Sequence, residues 1–322
     1  MHAVVFEDIV TAADRIACAV NKTPVLTSSA LNALTGLDLH FKCENFQRVG
    51  AFKMRGAYNA LSQFDADQKR HGVVTASSGN HAQAIACSAR LLQMPATIVM
   101  PADAPVIKIA ATKAYGAEVR FYDRYQENRE SICDEIAAHS GMTIIPPFNH
   151  PHVIAGQGTV ALEFMQEVPD LEVICAPLGG GGLLAGTAIA AKALQPDIRV
   201  IGCEPLAGND GQQSFQKGEI VQIDTPKTIA DGAQTQALGT LTFDIIRSLV
   251  TDVVAVDDPA LIQAMQLYAE RMKIWVEPTG CLGLGALVSG ALQLPAGTRV
   301  GVIISGGNVD ATRFLQLIQS LR

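Results

Sequence analysis

From residue 73 onward, short apolar runs alternate with longer runs of helical length. Strand-like segments fall at 73–76, 97–100, 119–122 and 142–145, with helix-length segments at 80–92, 106–115 and 127–140 between them. The scheme repeats with strand-like 173–177, 199–203, 253–256 and 299–304 against helical 183–194, 259–273, 281–292 and 309–321. Such alternation builds parallel sheets covered by helices, because parallel neighbours need a crossover connection. The run Gly301-Val302-Ile303-Ile304-Ser305 is apolar on both faces, as a strand buried between helix layers should be. The stretch 205–237 is rich in Gly, Gln, Asp and Pro and reads as a long functional loop region within a domain.

Composition narrows the function classes. The 322 residues are 48% hydrophobic and 17% charged, the reverse of a disordered chain. A net charge of −7 without a basic run argues against a nucleic-acid partner. The first residues lack the basic and apolar regions of a signal peptide. The longest uncharged stretch, 279–298, holds five glycines and Pro295, so it reads as helix, loop and strand start and not as a membrane span. Seven cysteines without a C-x-x-C pair suggest buried free thiols in a reducing, cytoplasmic compartment. The lone tryptophan, Trp275, is expected in the core.

Five segments have the residue types that chemistry needs. Gly179, Gly180, Gly181 and Gly182 precede Leu183 between an apolar strand and an apolar helix. Their backbone N–H groups can converge at a helix N-terminus and cradle a phosphate, and the Lys of a Walker A loop is missing. Ser77, Ser78, Gly79, Asn80 and His81 present hydroxyls and N–H groups at another helix start, suited to a carboxylate or to simple capping. Lys53 lies between Phe52 and Met54, and desolvation of such an amine favours Schiff-base chemistry. Ser305 ends a strand where open α/β sheets bind ligands, although a turn with Asn308 as helix cap explains the local sequence as well. Glu204, Gly208 and Asp210 offer two carboxylates and a loop carbonyl to a hard cation, or form a solvated loop. His150 and His152 lack a third metal ligand.

Together the motifs resemble fold-type II pyridoxal-phosphate (PLP) enzymes, the tryptophan synthase β-like fold, and most nearly the serine/threonine dehydratase, serine racemase and threo-3-hydroxyaspartate dehydratase group. The matching segments are KCENFQRVGAFKMRGAYNAL, VTASSGNHAQAIA, VIAGQGTVALE, PLGGGGLLAG, GCEP, TIADG, ERMKIWVEPTG and IISGGNVD, in family order. The resemblance implies α/β architecture in two domains, each an open, mostly parallel sheet flanked by helices. A large PLP-binding domain would comprise 1–68 and 146–322, and a small mobile domain 69–145. Lys53 would form the internal aldimine, with Phe52 beside the ring and Asn80 on the 3′-oxygen. Gly179 to Leu183 would hold the phosphate, and Ser305 the pyridine nitrogen. Ser78 would be the acid/base group on the face opposite Lys53. Ser77, Gly79, Asn80, His81 and Asn149 would join Ser78 in binding substrate. Glu204, Gly208 and Asp210 would bind Mg²⁺, Mn²⁺ or Ca²⁺, and the protein would be a homodimer.

The implied activity is conversion of a small 3-hydroxy amino acid to a 2-oxo acid and ammonia, with serine or aspartate racemisation as the alternative. A catalytically silent ligand-binding protein on the same scaffold is the remote reading, and Lys53, Ser78 and Ser305 speak against it. Two departures bear on substrate. Ala51 replaces the Ser common before the Phe-Lys pair. The segment Asn149, His150, Pro151, His152 replaces acidic residues common in threonine dehydratases, which suits a second carboxylate as in L-threo-3-hydroxyaspartate.

Overall fold

Two separate parallel sheets organise the chain, as the alternation requires. The computed structural model describes residues 3–104, 106–123 and 125–320. Among them the strands are β1 (Val25–Thr27), β2 (Asp38–Cys43), β3 (Val73–Ala76), β4 (Ala96–Pro101), β5 (Glu118–Tyr122), β6 (Thr143–Ile144), β7 (Val173–Pro177), β8 (Arg199–Pro205), β9 (Asp252–Val256) and β10 (Arg299–Ile304). One sheet has the order β1-β2-β10-β7-β8-β9, the other β5-β4-β3-β6. Only the short β1 runs antiparallel, pairing Val25 with Lys42. Every strand of the four-stranded sheet comes from between Val73 and Ile144.

The helices are α1 (Phe6–Ile16), α2 (Ser29–Thr35), α3 (Lys53–Leu61), α4 (Ala66–His71), α5 (Asn80–Leu91), α6 (Val106–Ala114) and α7 (Arg129–Ser140). They continue with α8 (Pro151–Glu167), α9 (Gly182–Leu194), α10 (Asp210–Lys217), α11 (Thr240–Leu249), α12 (Asp258–Leu267), α13 (Leu282–Val288) and α14 (Ala311–Gln319). Strand β10 lies between β2 and β7, with Val302, Ile303 and Ile304 fully buried. Removing these branched side chains from water from both faces explains why the strand reads as a continuous apolar run.

Several expected elements differ in extent. The region 205–237 contains α10, capped at its end by Gly218 at φ 76°, and two short 3-10 turns, Leu206–Gly208 and Asp231–Ala233, with the rest irregular. The helix expected over 259–273 stops at Leu267, continues as one π turn over Tyr268–Met272, and closes on Lys273 at φ 61°. The helix expected over 281–292 ends at Val288, ahead of Gly290 at φ 77°. The last helix stops at Gln319, and Leu321 falls outside the described residues. Trp275 is not in the core: it is 41% exposed and stacks on Phe314 at 3.9 Å. Its indole N–H reaches the Val309 carbonyl, so it needs no buried partner. Six of the seven thiols are buried, and Cys18 is exposed.

Candidate active site

Lys53 opens α3 at the point where β10 ends. The Phe52 N–H donates to the Ser305 carbonyl at 3.0 Å, and Ala51 bridges Gly306. Two sequence-distant motifs are thereby joined by backbone. The Lys53 amine donates to the Pro147 carbonyl at 2.7 Å and stands 5.1 Å from the Phe52 ring centroid. Burial lowers its affinity for protons to a pKa of about 8, because an ammonium there lacks the water that would solvate it. His81 is buried nearby. Desolvation first, and the Lys53 charge second, push its pKa down to about 3. It is therefore a neutral ring, turned toward the Ile145 carbonyl at 3.3 Å.

The glycine run forms a bend that side chains cannot enter. Gly181 has φ 93° and precedes α9. A Cβ at Gly180 would meet the Phe148 ring at 2.2 Å, and one at Gly181 would meet Thr242 at 2.8 Å. Thr242 donates from beneath to the Gly180 carbonyl at 2.8 Å. With no side chain capping α9, its first N–H groups and positive end are left for an anion. Leu183 is the second residue of α9 and is buried.

Asn80 is held at both ends of its amide. Its oxygen accepts from Asn308 at 2.9 Å, and its nitrogen donates to Glu277 at 2.7 Å. Asn308 also donates to the Val49 carbonyl at 2.7 Å. Asn308 is thus not the cap of α14, which is Asp310. With the oxygen occupied, Asn80 has a second N–H to offer, the polarity that suits an anionic phenol oxygen. Glu277 and Asn308 both lie in motifs quoted above, but nothing in their spacing shows that they meet Asn80 from 197 and 228 residues away. Ser305 Oγ is buried and has no hydrogen-bond partner among the described residues. An orphaned buried hydroxyl can take a ring nitrogen as its partner.

The loop 77–81 forms the start of α5. Ser77 Oγ accepts from the Gly79 N–H at 3.3 Å, and Gly79 is the N-cap residue without a side chain of its own. The first turn of α5 is therefore uncapped by side chains, which leaves its N–H groups for a carboxylate. Ser78 is partly exposed in this loop.

Asn149, expected among the substrate ligands, is bonded within the protein. Its oxygen accepts from the Leu241 N–H at 2.9 Å and its nitrogen donates to Thr240 at 3.2 Å, so it braces the start of α11. A Cβ on Gly239 would lie 2.5 Å from it, and that glycine is what admits the side chain. The His150 and His152 rings are neighbours, with centroids 5.3 Å apart. They line a cavity of about 180 Å³ with Gln63, Phe64, Gln68 and Thr143, a lining that includes neither Lys53 nor the 77–81 loop. Burial pushes His150 down to about 4 and lowers His152 as well, so neither ring is a cation near neutral pH.

Glu204 and Asp210 form a second acidic centre at the end of β8. Glu204 accepts from the N–H groups of Gly211, at 3.1 Å, and Gln212. Both Asp210 carboxyl oxygens are buried with no hydrogen-bond partner among the described residues. Burial raises both pKa values, Glu204 to about 8 with help from the Asp210 charge, and Asp210 to about 7. Two buried carboxylates in that state suit a hard cation, whose other ligands would be oxygens such as the Gly208 carbonyl and water. No cluster of three His, Cys, Asp or Glu side chains fit for a metal occurs among the described residues.

An uncapped glycine bend, a desolvated lysine and an orphaned serine suit PLP. The family model for "Pyridoxal-phosphate dependent enzyme" matches residues 16–306. The chain belongs to that family. Along 97% of its length it is 56% identical to a serine racemase of Schizosaccharomyces pombe, covering 97% of that protein. It is equally identical to an L-threo-3-hydroxyaspartate ammonia-lyase of a Pseudomonas species, over 98% of each chain. The solved structure of maize serine racemase superposes with a TM-score of 0.94 at 41% identity, covering 99% of this chain and 98% of that one. The fold is therefore that of fold-type II PLP enzymes. No helix among the described residues is long and apolar enough to cross a membrane.

Proposed function

We propose that this enzyme is an ammonia-lyase for small 3-hydroxy amino acids, L-threo-3-hydroxyaspartate foremost, yielding a 2-oxo acid and ammonia. The observation that carries the reading is full-length similarity to the ammonia-lyase, supported by the desolvated Lys53, the unpartnered Ser305 hydroxyl and the glycine bend. Gly179, Gly180, Gly181, Gly182 and Leu183 would hold the cofactor phosphate, Phe52 and Asn80 its ring and 3′-oxygen, and Ser305 its nitrogen. When bound, the cofactor supplies an electron sink for the carbanion at Cα. Lys53, with its pKa near 8, takes the Cα proton of the L-substrate from one face. The N–H groups of Ser77, Ser78, Gly79, Asn80 and His81 hold the substrate carboxylate. Ser305 is a neutral hydroxyl and cannot keep a ring nitrogen protonated as a carboxylate would, which favours early loss of the β-hydroxyl.

Ser78 serves as acid/base on the opposite face, which allows racemisation. Equal identity to a serine racemase makes that activity the second reading. Incubating the holoenzyme with L-threo-3-hydroxyaspartate, L-serine, L-threonine and L-aspartate, and assaying oxo acid and enantiomer together, separates the readings. The highest kcat/KM for oxo acid should fall on hydroxyaspartate. If hydroxyaspartate proves no better than serine, the enzyme is a serine/threonine dehydratase. If enantiomer outruns oxo acid, it is a racemase.

The acidic pair Glu204 and Asp210, with the Gly208 carbonyl, would hold Mg²⁺, Mn²⁺ or Ca²⁺ and brace the loop after β8. The separate four-stranded sheet supports a small domain, 69–145, that closes on a large domain of 1–68 and 146–322. Exposed Phe46, Trp275 and Leu315 support a homodimer, which sedimentation would test. Free thiols without a disulfide suit a cytoplasmic location.

A further inference from the structure

Around Arg55, two residues after Lys53, lies a four-charge cluster that no step above uses. Arg55, Glu44 and Lys42 are fully buried, and the Glu163 side chain is 20% exposed. Arg55 Nε and Nη2 donate to Glu44, both at 2.8 Å. Its Nη1 and Nη2 donate to Glu163 at 2.7 and 2.9 Å, and Nη1 also reaches Thr159 at 3.2 Å. All five N–H donors of the guanidinium are thereby placed, in two forks and one single bond. Lys42 completes the set, donating to Glu163 at 2.9 Å and to the Thr23 carbonyl at 2.7 Å. Two cations face two carboxylates, so the cluster is neutral.

Its position explains what it does. Helix α3 begins at Lys53 without a side-chain N-cap, and its first turn has no acidic residue. It carries instead two cationic residues, Lys53 and Arg55, which the helix dipole disfavours at that end. Residues two apart on a helix point about 200° from one another. Arg55 therefore leaves the side of α3 away from the amine, and Glu44 and Glu163 offset the positive charge that it brings to the helix start. Helix α8 presses on the same turn: a Cβ on Gly156 would lie 2.6 Å from the Arg55 carbonyl, and Gln157 accepts from the Gly56 N–H at 3.2 Å.

We propose that Arg55 is a positioning residue for Lys53, its two forks to Glu44 and Glu163 holding the uncapped first turn of α3 so that the amine stays aimed into the cleft. This rests on Lys53 being the cofactor lysine. The test uses holoenzyme carrying Arg55→Lys, which keeps the charge and loses both forks, and in parallel Glu163→Gln, which keeps the fork to Glu44 should the first variant not fold. Melting temperature, bound cofactor, kcat and KM per bound cofactor, and the pH midpoint of the visible cofactor band are measured. The expected result is a tenfold or larger fall in kcat per bound cofactor, KM within threefold, and a midpoint moved by more than half a pH unit. A lower melting temperature with kcat per bound cofactor within twofold of wild type and an unmoved midpoint would overturn it, since the cluster would then only stabilise the fold. A wild-type protein without the visible band, or Lys53→Ala retaining it, would instead overturn the lysine reading and this proposal with it.

Discussion

Replacing Ser305 with Ala should have opposite effects on the cofactor-free and cofactor-loaded protein. In the structure Ser305 Oγ is 2% exposed by residue and bonded to nothing among the described residues. A buried hydroxyl in that state carries a desolvation penalty of about 1–3 kcal/mol. Deleting it removes the penalty from the cofactor-free enzyme, which should therefore become more stable. The loaded enzyme gains nothing, because there the hydroxyl already has the ring nitrogen as partner. The difference falls on the binding equilibrium: PLP affinity should drop by about 1–3 kcal/mol, or about fivefold to about 150-fold. Thermal melts of both forms, with a PLP titration followed in the visible band, measure each side of the cycle. A Ser305→Ala protein less stable than wild type without cofactor, or one that binds PLP as tightly, would refute the assignment of this hydroxyl to the ring.

Four further outcomes are expected. Lys53→Ala should abolish turnover and the visible cofactor band, read by absorbance and oxo-acid assay. Ser78→Ala should lose racemisation while retaining most L-dehydration, and equal loss of both would make Ser78 a substrate-positioning group. Gly181→Ala forces a side chain into φ 93° and against Thr242 at 2.8 Å, so it should destabilise the protein by about 1–3 kcal/mol and weaken cofactor retention, checked by denaturant titration and dialysis. Glu204 and Asp210 hold protons to about pH 8 and about pH 7 when folded, above the roughly pH 4 of unfolded carboxyls, so folding takes up protons and metal-free stability falls as pH rises through that window. A divalent cation replaces those protons, and the rise in melting temperature on adding Mg²⁺ should be larger at pH 8 than at pH 6. An equal rise at both would count against the pair as ligands.

Local pattern decided the parts of this protein that depend on neighbours in sequence. Strand β10 is apolar at every position because both faces are covered, and β3, β7 and β10 have the bounds their runs imply. The glycines of 179–182 are legible because a tight bend packed against Phe148 and Thr242 excludes side chains, and that exclusion is written in the residues themselves. Lys53, Asn80 and Ser305 were legible as parts of motifs, since each sits at a strand end or helix start. Contacts made across the fold left no such trace. The pairing of Asn80 with Glu277 and Asn308, the parking of Lys53 on the Pro147 carbonyl and the clamp on Arg55 join residues whose spacing along the chain has no period. The segment 149–152 shows the same limit. Charge in a sequence says nothing about direction, and only packing turned Asn149 to α11 and buried His150 in a separate cavity. Trp275 shows the converse: its hydrophobicity suggested the core, yet a stacking partner and a carbonyl for its N–H satisfy it at the surface. Sequence alone determined the elements and the chemistry on offer, because strand, helix and phosphate loop are set by short-range sterics and burial. Tertiary structure alone decided which side chains meet and what state of charge they keep there, because both depend on distances between residues that the chain order does not specify.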